Sequence, residues 1–349
     1  MGRITKHDIV TKYQKDFISR FQDESFFTAI APGRINIIGE HTDYNLGLAM
    51  PIAINRWICS IVSPRQDDKI NIYSSNFDEQ VSLNINQLDK KELGWERYVF
   101  GCIQVFMNEY HINKGFNILI GGNIPIGLGV SSSAALEVSL ISSLLYGSGI
   151  PIDKHKVLEL SNKVERDLLG IQSGFLDQYA SIFSKKNSPL LIDFSTLKHE
   201  YVNSRVKGAS WILINSMVDR SLADSKYNDR VEECQLGLKI INDSNKTNMQ
   251  INQISSSHLE KIKDNQIIFK RIKHIITENN RVRSMKKAME KGNLHLIGDI
   301  LSQSHNSLSD DYQVSCSEID SIIEISKKQD GFYGGRIMGG GFGGCCIGL

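Results

Sequence analysis

Residues 31–45 read Ala-Pro-Gly-Arg-Ile-Asn-Ile-Ile-Gly-Glu-His-Thr-Asp-Tyr-Asn. An apolar pulse at Ile35, Ile37 and Ile38 is followed within five residues by Glu40, His41 and Asp43, with Arg34 just upstream behind a Pro-Gly pair. The pulse reads as a strand, and hydrogen-bonding groups crowd at its end. Carboxylates and imidazole exchange hydrogen bonds with sugar hydroxyls, and Arg34 adds a fixed cation, so the stretch suits a hydroxyl-rich ligand. A polar turn between two strands is the plainer reading of the same residues. The rest of the chain has to choose between them.

At 349 residues the chain has room for two domains with real cores. It is 41% hydrophobic and 23% charged, ordinary for a globular protein, and Lys+Arg 40 against Asp+Glu 39 leaves a formal +1. No polybasic field points to nucleic acid or anionic lipid, so neither is expected as a partner. The six cysteines show no C-x-x-C pair or metal spacing and read as free thiols of a reducing compartment. The first residues lack a signal-peptide core, and no apolar run approaches the roughly 18 residues of a membrane span. A soluble, cytoplasmic protein is expected.

Periodicity predicts a helix over 7–22, then strands at 26–38, 47–54, 56–62, 69–73 and 79–85. A helix over 95–109 and a strand at 116–120 complete a mixed sheet edged with helices. Further on come helices at 153–169 and 173–183, strands at 189–194 and 211–215, and a helix over 225–241. The Asn- and Ser-rich run 242–256 reads as a surface loop. Helices fill 257–310, with segments at 272–277, 281–291 and 294–308, and another spans 316–328.

Two glycine-rich stretches interrupt this pattern. Residues 121–137 read Gly-Gly-Asn-Ile-Pro-Ile-Gly-Leu-Gly-Val-Ser-Ser-Ser-Ala-Ala-Leu-Glu, a strand and loop with three serines opening an apolar helix to about Tyr146. Glycines allow close backbone approach, and N–H groups at a helix start favour phosphate. The spacing is neither a P-loop nor a dinucleotide fingerprint, and a Ser N-cap after a Gly turn is the plain alternative. The second stretch, 334–344, holds seven glycines in eleven positions. Close approach to a ligand, or tight packing against the other loops, explains that density better than a linker.

Three stretches in this order resemble the motifs of the GHMP kinases: Arg34–Asn45, 125–135 and 336–344. Within them, Gly39-Glu40-His41-Thr42-Asp43-Tyr44-Asn45 resembles the galactokinase signature. Ser173-Gly174-Phe175-Leu176-Asp177-Gln178, Asn215-Ser216, Ser225-Lys226-Tyr227-Asn228, His274–Asn279 and Ser304-His305 look like segments of the same family. The likeness covers about residues 25–349.

The resemblance implies an α/β (α+β) fold of two domains with the active site in the cleft between them. The N-terminal domain is expected over 1–200, with the sugar motif and phosphate loop, and the C-terminal one over 201–349, with the third motif. It also implies phosphoryl transfer from ATP, with Mg²⁺, to the C1 hydroxyl of α-D-galactose. By position, Asp177 matches the catalytic aspartate and Arg34 the arginine beside the transferred group. Glu40, His41, Thr42, Asp43, Tyr227 and the backbone of Gly174 match sugar contacts. Ile126, Gly127, Leu128, Gly129, Val130, Ser131 and Ser132 match the nucleotide cradle, and Ser132 and Glu165 the Mg²⁺ ligands. A monomer is expected.

Two departures stand out. The family's usual Cys-Gly-Ile-Met-Asp is Ser173-Gly174-Phe175-Leu176-Asp177 here, and Ile337-Met338 replaces a common Met-Thr. Family members also run on for a few tens of residues beyond the third motif, so the C-terminal domain is expected to be truncated, with an exposed sheet edge. Rival readings are an N-acetylgalactosamine kinase and a non-catalytic galactose/ATP sensor. The intact 40–45 run disfavours the first, and Ser133-Ala134, a pair such sensors lack, disfavours the second.

Overall fold

Helix α1 (Lys6–Phe21) begins at a capping box: Asp8 N–H donates to Thr5 Oγ1 at 3.2 Å, and the Asp8 carboxylate accepts from Thr5 N–H at 2.8 Å. Its near-3.6 periodicity puts Ile9, Tyr13 and Phe17 into a core with Cys59, Ile61 and Leu119. The computed structural model describes residues 4–88, 94–125, 127–218 and 223–349. After α1 come β1 (Phe27–Asn36), β2 (Leu48–Ala49), β3 (Pro51–Pro64), β4 (Lys69–Ser74), β5 (Glu79–Asn84), α2 (Glu96–Tyr110) and β6 (Phe116–Gly122). Then follow α3 (Ser132–Gly147), α4 (Lys154–Lys163), α5 (Leu176–Phe183), β7 (Leu190–Asp193), β8 (Lys198–Tyr201), β9 (Ile212–Asn215) and α6 (Ala223–Asn245). The chain ends with α7 (Gln266–Lys291), α8 (Leu294–Asn306), α9 (Ser317–Lys327), β10 (Gly335–Met338) and β11 (Cys345–Gly348).

These elements form two compact units. Met1–Arg34, Ala53–Ile126 and Val130–Phe183 make the first; Ile35–Ile52, Gly127–Gly129 and Ser184–Leu349 make the second. A single boundary near residue 200 captures only the last crossing, at Phe183; the earlier ones fall inside β1, β3 and the first glycine loop.

The first unit holds a five-stranded sheet in the order β1-β3-β6-β4-β5. β3 pairs antiparallel with β6, β6 parallel with β4, and β4 antiparallel with β5. The two segments expected at 47–54 and 56–62 are instead the short β2 and the continuous 14-residue β3. The polar pair Asn55-Arg56 does not end β3, because an exposed stretch keeps its strand form when a neighbouring strand supplies the ladder.

The second unit contains two three-stranded sheets, β2-β7-β8 and β10-β11-β9. Helices α6, α7 and α9 cover one core (Ile241, Ile272, Ile275, Ile323 and Ile337 among its members). α7 and α8 enclose a second with Ile37, Ile38, Met50, Val282 and Leu301. β9 is an edge strand, with Ile212 and Leu213 exposed.

Several expectations need correction here. β8, β10 and β11 are not anticipated; β10 lies within the second glycine stretch and β11 follows it directly. The segments at 272–277 and 281–291 belong to one helix, α7. The 242–256 run is not wholly loop, since α6 continues to Asn245 and a 3₁₀ turn spans Ile251–Gln253. Asn242 turns the chain there, accepting from Met249 N–H and donating to Met249 O, both at 2.9 Å. No helix among the described residues is long and apolar enough to cross a membrane.

Candidate functional site

In the first unit, β1 delivers Arg34 beside the loop that precedes α3. Gly33 is required there: a Cβ at that position would lie 2.7 Å from Val130 O. The main-chain N–H of Arg34 donates to the same Val130 O at 3.1 Å. The Arg34 guanidinium is buried and pairs with Asp177 in the first turn of α5, Nε donating to Oδ1 at 2.8 Å and Nη2 donating to the same oxygen. Ser131 Oγ donates to Asp177 Oδ2 at 2.6 Å. Both carboxylate oxygens are thus held, while the side chain keeps 30% of its surface open.

Ser131 is the N-cap of α3, in the left-handed conformation (φ 62°), yet its side chain makes no capping hydrogen bond. Its hydroxyl serves Asp177 instead. Among the described residues, the N-cap hydroxyl therefore offers no acceptor to the first-turn N–H groups of α3, a setting that favours an anion. Ser132 is the first residue of α3, Val130 is buried next to it, and Ile126 lies outside the described residues. Gly127 and Gly129 both have positive φ, and a Cβ on Gly127 would meet nothing within 4 Å.

Glu165 lies in the π-helical turn Val164–Leu168 that ends α4, and it accepts from Ser173 Oγ at 2.5 Å. Here the serine that departs from the family pattern places a hydroxyl on the expected metal ligand. Burial pushes the Glu165 carboxyl up; the Ser173 hydrogen bond opposes this, and the nearby Asp177 charge reinforces it. Glu137, on α3, is fully buried and pushed well up by that burial and by the charge of Glu165. Glu137 Oε2 accepts from Gln178 Nε2 at 2.9 Å, and Oε1 has no hydrogen-bond partner among the described residues. Sequence reasoning did not single out Glu137 or Gln178, although a carboxylate inside the apolar run of α3 is a signal. Gly174, expected as a backbone sugar contact, gives its carbonyl to Asn162 Nδ2 at 3.0 Å.

The second unit carries the rest of the 31–45 stretch. Gly39 adopts φ +95°, and a Cβ there would stand 2.4 Å from Leu48 O, so the turn closes only with glycine. Glu40 Oε1 accepts from Arg336 Nη1 at 3.1 Å and from Gly339 N–H at 2.8 Å. His41 is buried against Tyr44, Tyr227 and Tyr312, and its Nδ1 lies 2.8 Å from Tyr44 Oη. Tyr44 Oη is in turn 2.8 Å from Tyr312 Oη. Tyr227, from α6, stacks at a tilt on His41 with ring centroids 5.3 Å apart. Glu40, His41 and Tyr227 are thus gathered, with Asp43 half-buried nearby in sequence. Thr42 is turned inward, its hydroxyl 2.9 Å from Gly39 O and 2.8 Å from Leu48 O, so its side chain braces the turn.

Helix α7 supports this turn from behind. Glu278 Oε1 accepts from Gly39 N–H at 3.0 Å and from Ser304 Oγ at 2.8 Å, and Asn279 Oδ1 accepts from Leu48 N–H at 2.8 Å. His274 Nε2 lies 3.2 Å from Glu40 O, and its Nδ1 2.9 Å from Ser307 Oγ. Burial, which outweighs the Glu278 charge, drives the His274 pKa down to about 4. The folded form therefore binds fewer protons than the unfolded one between the ordinary 6.5 and about 4. Stability should be full above pH 6.5 and fall as pH drops toward 4, by on the order of 3 kcal/mol from this residue. Urea unfolding across that range should show the slope, and His274→Gln should flatten it. Glu278 acts lower: burial raises it, but Arg281, His274 and Arg336 outweigh that and hold it at about 2, so its contribution is lost only as pH falls from 4.5 toward 2.

A galactokinase of Clostridium tetani is 36% identical to the chain over 347 residues, covering 97% of this chain and 88% of the relative. The chain belongs to the galactokinase family. The family's galactokinase galactose-binding signature matches residues 15–64, the GHMP kinases N terminal domain 97–185 and the GHMP kinases C terminal domain 285–349. Among solved structures, that of Lactococcus lactis galactokinase complexed with galactose superposes with a TM-score of 0.89 at 35% identity, over 98% of this chain and 90% of that one. Methanococcus jannaschii mevalonate kinase shares the fold, with a TM-score of 0.65 at 20% identity over 93% and 90% of the two chains. This family is one of ATP-dependent sugar kinases, and its fold is the mixed α/β arrangement with N- and C-terminal GHMP kinase domains.

Proposed function

We propose that this chain transfers the γ-phosphoryl group of ATP to the C1 hydroxyl of α-D-galactose, with Asp177 as base and Arg34 as the cation beside the transferred group. The observation that carries this reading is the clamp on Asp177: Arg34 holds one oxygen, and Ser131, at the open start of α3, holds the other at 2.6 Å. A candidate base and an anion-receiving helix start are thereby joined by one serine. The anomeric hydroxyl gives its proton to Asp177 as its oxygen bonds to the γ-phosphorus; the bond to the bridging oxygen breaks and ADP leaves. Arg34 and the α3 N–H groups stabilise charge on the phosphoryl oxygens. Glu40, Asp43 and Tyr227 orient the sugar.

Mg²⁺ fits the first unit. Among the described residues no group of three or more His, Cys, Asp or Glu side chains is set to hold a metal. Mg²⁺, however, takes one or two protein ligands together with nucleotide phosphates and water. A cation there would favour the charged form of buried Glu165, whose carboxyl is pushed up by burial and by the nearby Asp177 charge. Ser132 and Glu165 would hold it, and bound Mg²⁺ would neutralise phosphate charge.

A coupled ADP-release assay with MgATP and galactose, N-acetylgalactosamine or glucose tests the reading. Turnover confined to galactose is expected. Turnover mainly on N-acetylgalactosamine would reassign the substrate, and galactose binding without turnover would make the chain a sensor.

A further inference from the structure

We propose that Arg336 is a positioning residue for sugar recognition, and that the second glycine-rich stretch serves the sugar through Glu40. This rests on the sugar reading of Glu40 above. Arg336 is the one charged side chain of the 334–344 run and is fully buried, which is costly for a guanidinium unless every face is answered. Its Nε donates to Ile37 O at 2.9 Å, Nη2 to Asn36 O at 2.5 Å, and Nη1 to Ile337 O at 2.6 Å and Glu40 Oε1 at 3.1 Å. The fork therefore fixes the main chain that leads into Glu40 and also one carboxylate oxygen. Gly339 adds its N–H to that same oxygen at 2.8 Å.

The result is an asymmetric carboxylate. Oε1 is clamped by a charged and a neutral donor, while Oε2 takes no hydrogen bond from the described residues and is not among the buried unpartnered atoms. A carboxylate locked at one oxygen and open at the other is a pre-oriented acceptor for a hydroxyl. Gly339 has φ +84°, and a Cβ there would find only Gly129 O, at 3.9 Å. Its glycine is therefore needed for backbone conformation, which aims the N–H at Glu40, and not for space.

The test is a double-mutant cycle on galactose and ATP KM, with thermal melts as a folding control. Glu40→Gln and Arg336→Lys are each expected to raise galactose KM about tenfold or more, with ATP KM changed less than about twofold. Lysine keeps the charge but cannot span the carbonyls and the carboxylate together. The double variant should be no more than about twofold worse than the poorer single one, because Arg336 acts through Glu40. Additive losses, or an Arg336→Lys protein with unchanged galactose KM, overturn the inference. Should Arg336→Lys not fold, Gly339→Ala decides: a galactose KM raised severalfold supports the inference, and an unchanged one overturns it. If Glu40→Gln itself leaves galactose KM unchanged, it is the sugar reading of Glu40 that fails.

Discussion

Asp177→Asn is expected to lower kcat about 10³-fold while galactose KM changes no more than about threefold. Asparagine has the shape of aspartate and keeps a carbonyl oxygen that can still accept from Arg34 Nε, as Oδ1 does now at 2.8 Å. Ser131, which now donates to Oδ2, need only rotate its hydroxyl to accept from the amide. The clamp survives, but an amide cannot take the proton of the anomeric hydroxyl. Steady-state kinetics together with calorimetric titration of galactose separate the two effects. Near-normal turnover would remove Asp177 from the role of base. Loss of galactose binding in parallel with turnover would make it a structural or binding group.

Arg34→Met should also cost about 10³ in kcat, for a different reason. In the proposed mechanism the buried guanidinium neutralises charge that develops on the phosphoryl oxygens, whereas methionine keeps the packing but supplies no charge. The main-chain bond from Arg34 to Val130 O is unaffected, so the loop before α3 should hold its course. Arg34→Lys should recover part of the loss, since an ammonium restores charge but not the two-nitrogen grip on Asp177 Oδ1. A kcat loss under about tenfold in Arg34→Met would exclude Arg34 from transition-state stabilisation.

Much of this was legible because local patterns and global fold agree. The 3.6 spacing of Ile9, Tyr13 and Phe17 gave α1, and the alternation in 69–73 and 79–85 gave the β4–β5 hairpin. The serines at 131–133 marked the start of α3. What stayed hidden was non-local. Arg34 and Asp177 are 143 residues apart, and no spacing rule brings them together; only the likeness to a family did so. β10 and β11 are buried throughout, Gly-Arg-Ile-Met and Cys-Cys-Ile-Gly, so neither shows the alternation that betrays a half-exposed strand. The role of Thr42 was masked for another reason: a hydroxyl that faces a ligand and one that braces its own turn look alike in sequence.

The interleaving of the two units sets an order of assembly during synthesis. The unit with Arg34, Ser131 and Asp177 uses nothing beyond Phe183, so it can fold while translation continues. Its neighbour in sequence, Ile35–Ile52, belongs to the other unit, and its clamp, Arg336, lies 299 residues beyond Ile37. With roughly 150 residues still to be added at 5–20 per second, this segment waits about 8–30 s on the ribosome. During that interval Ile35, Ile37 and Ile38 stand without their native packing, tethered to a finished unit on either side. The stretch that identifies the protein is thus also the one whose apolar residues wait longest for their native partners in the nascent chain.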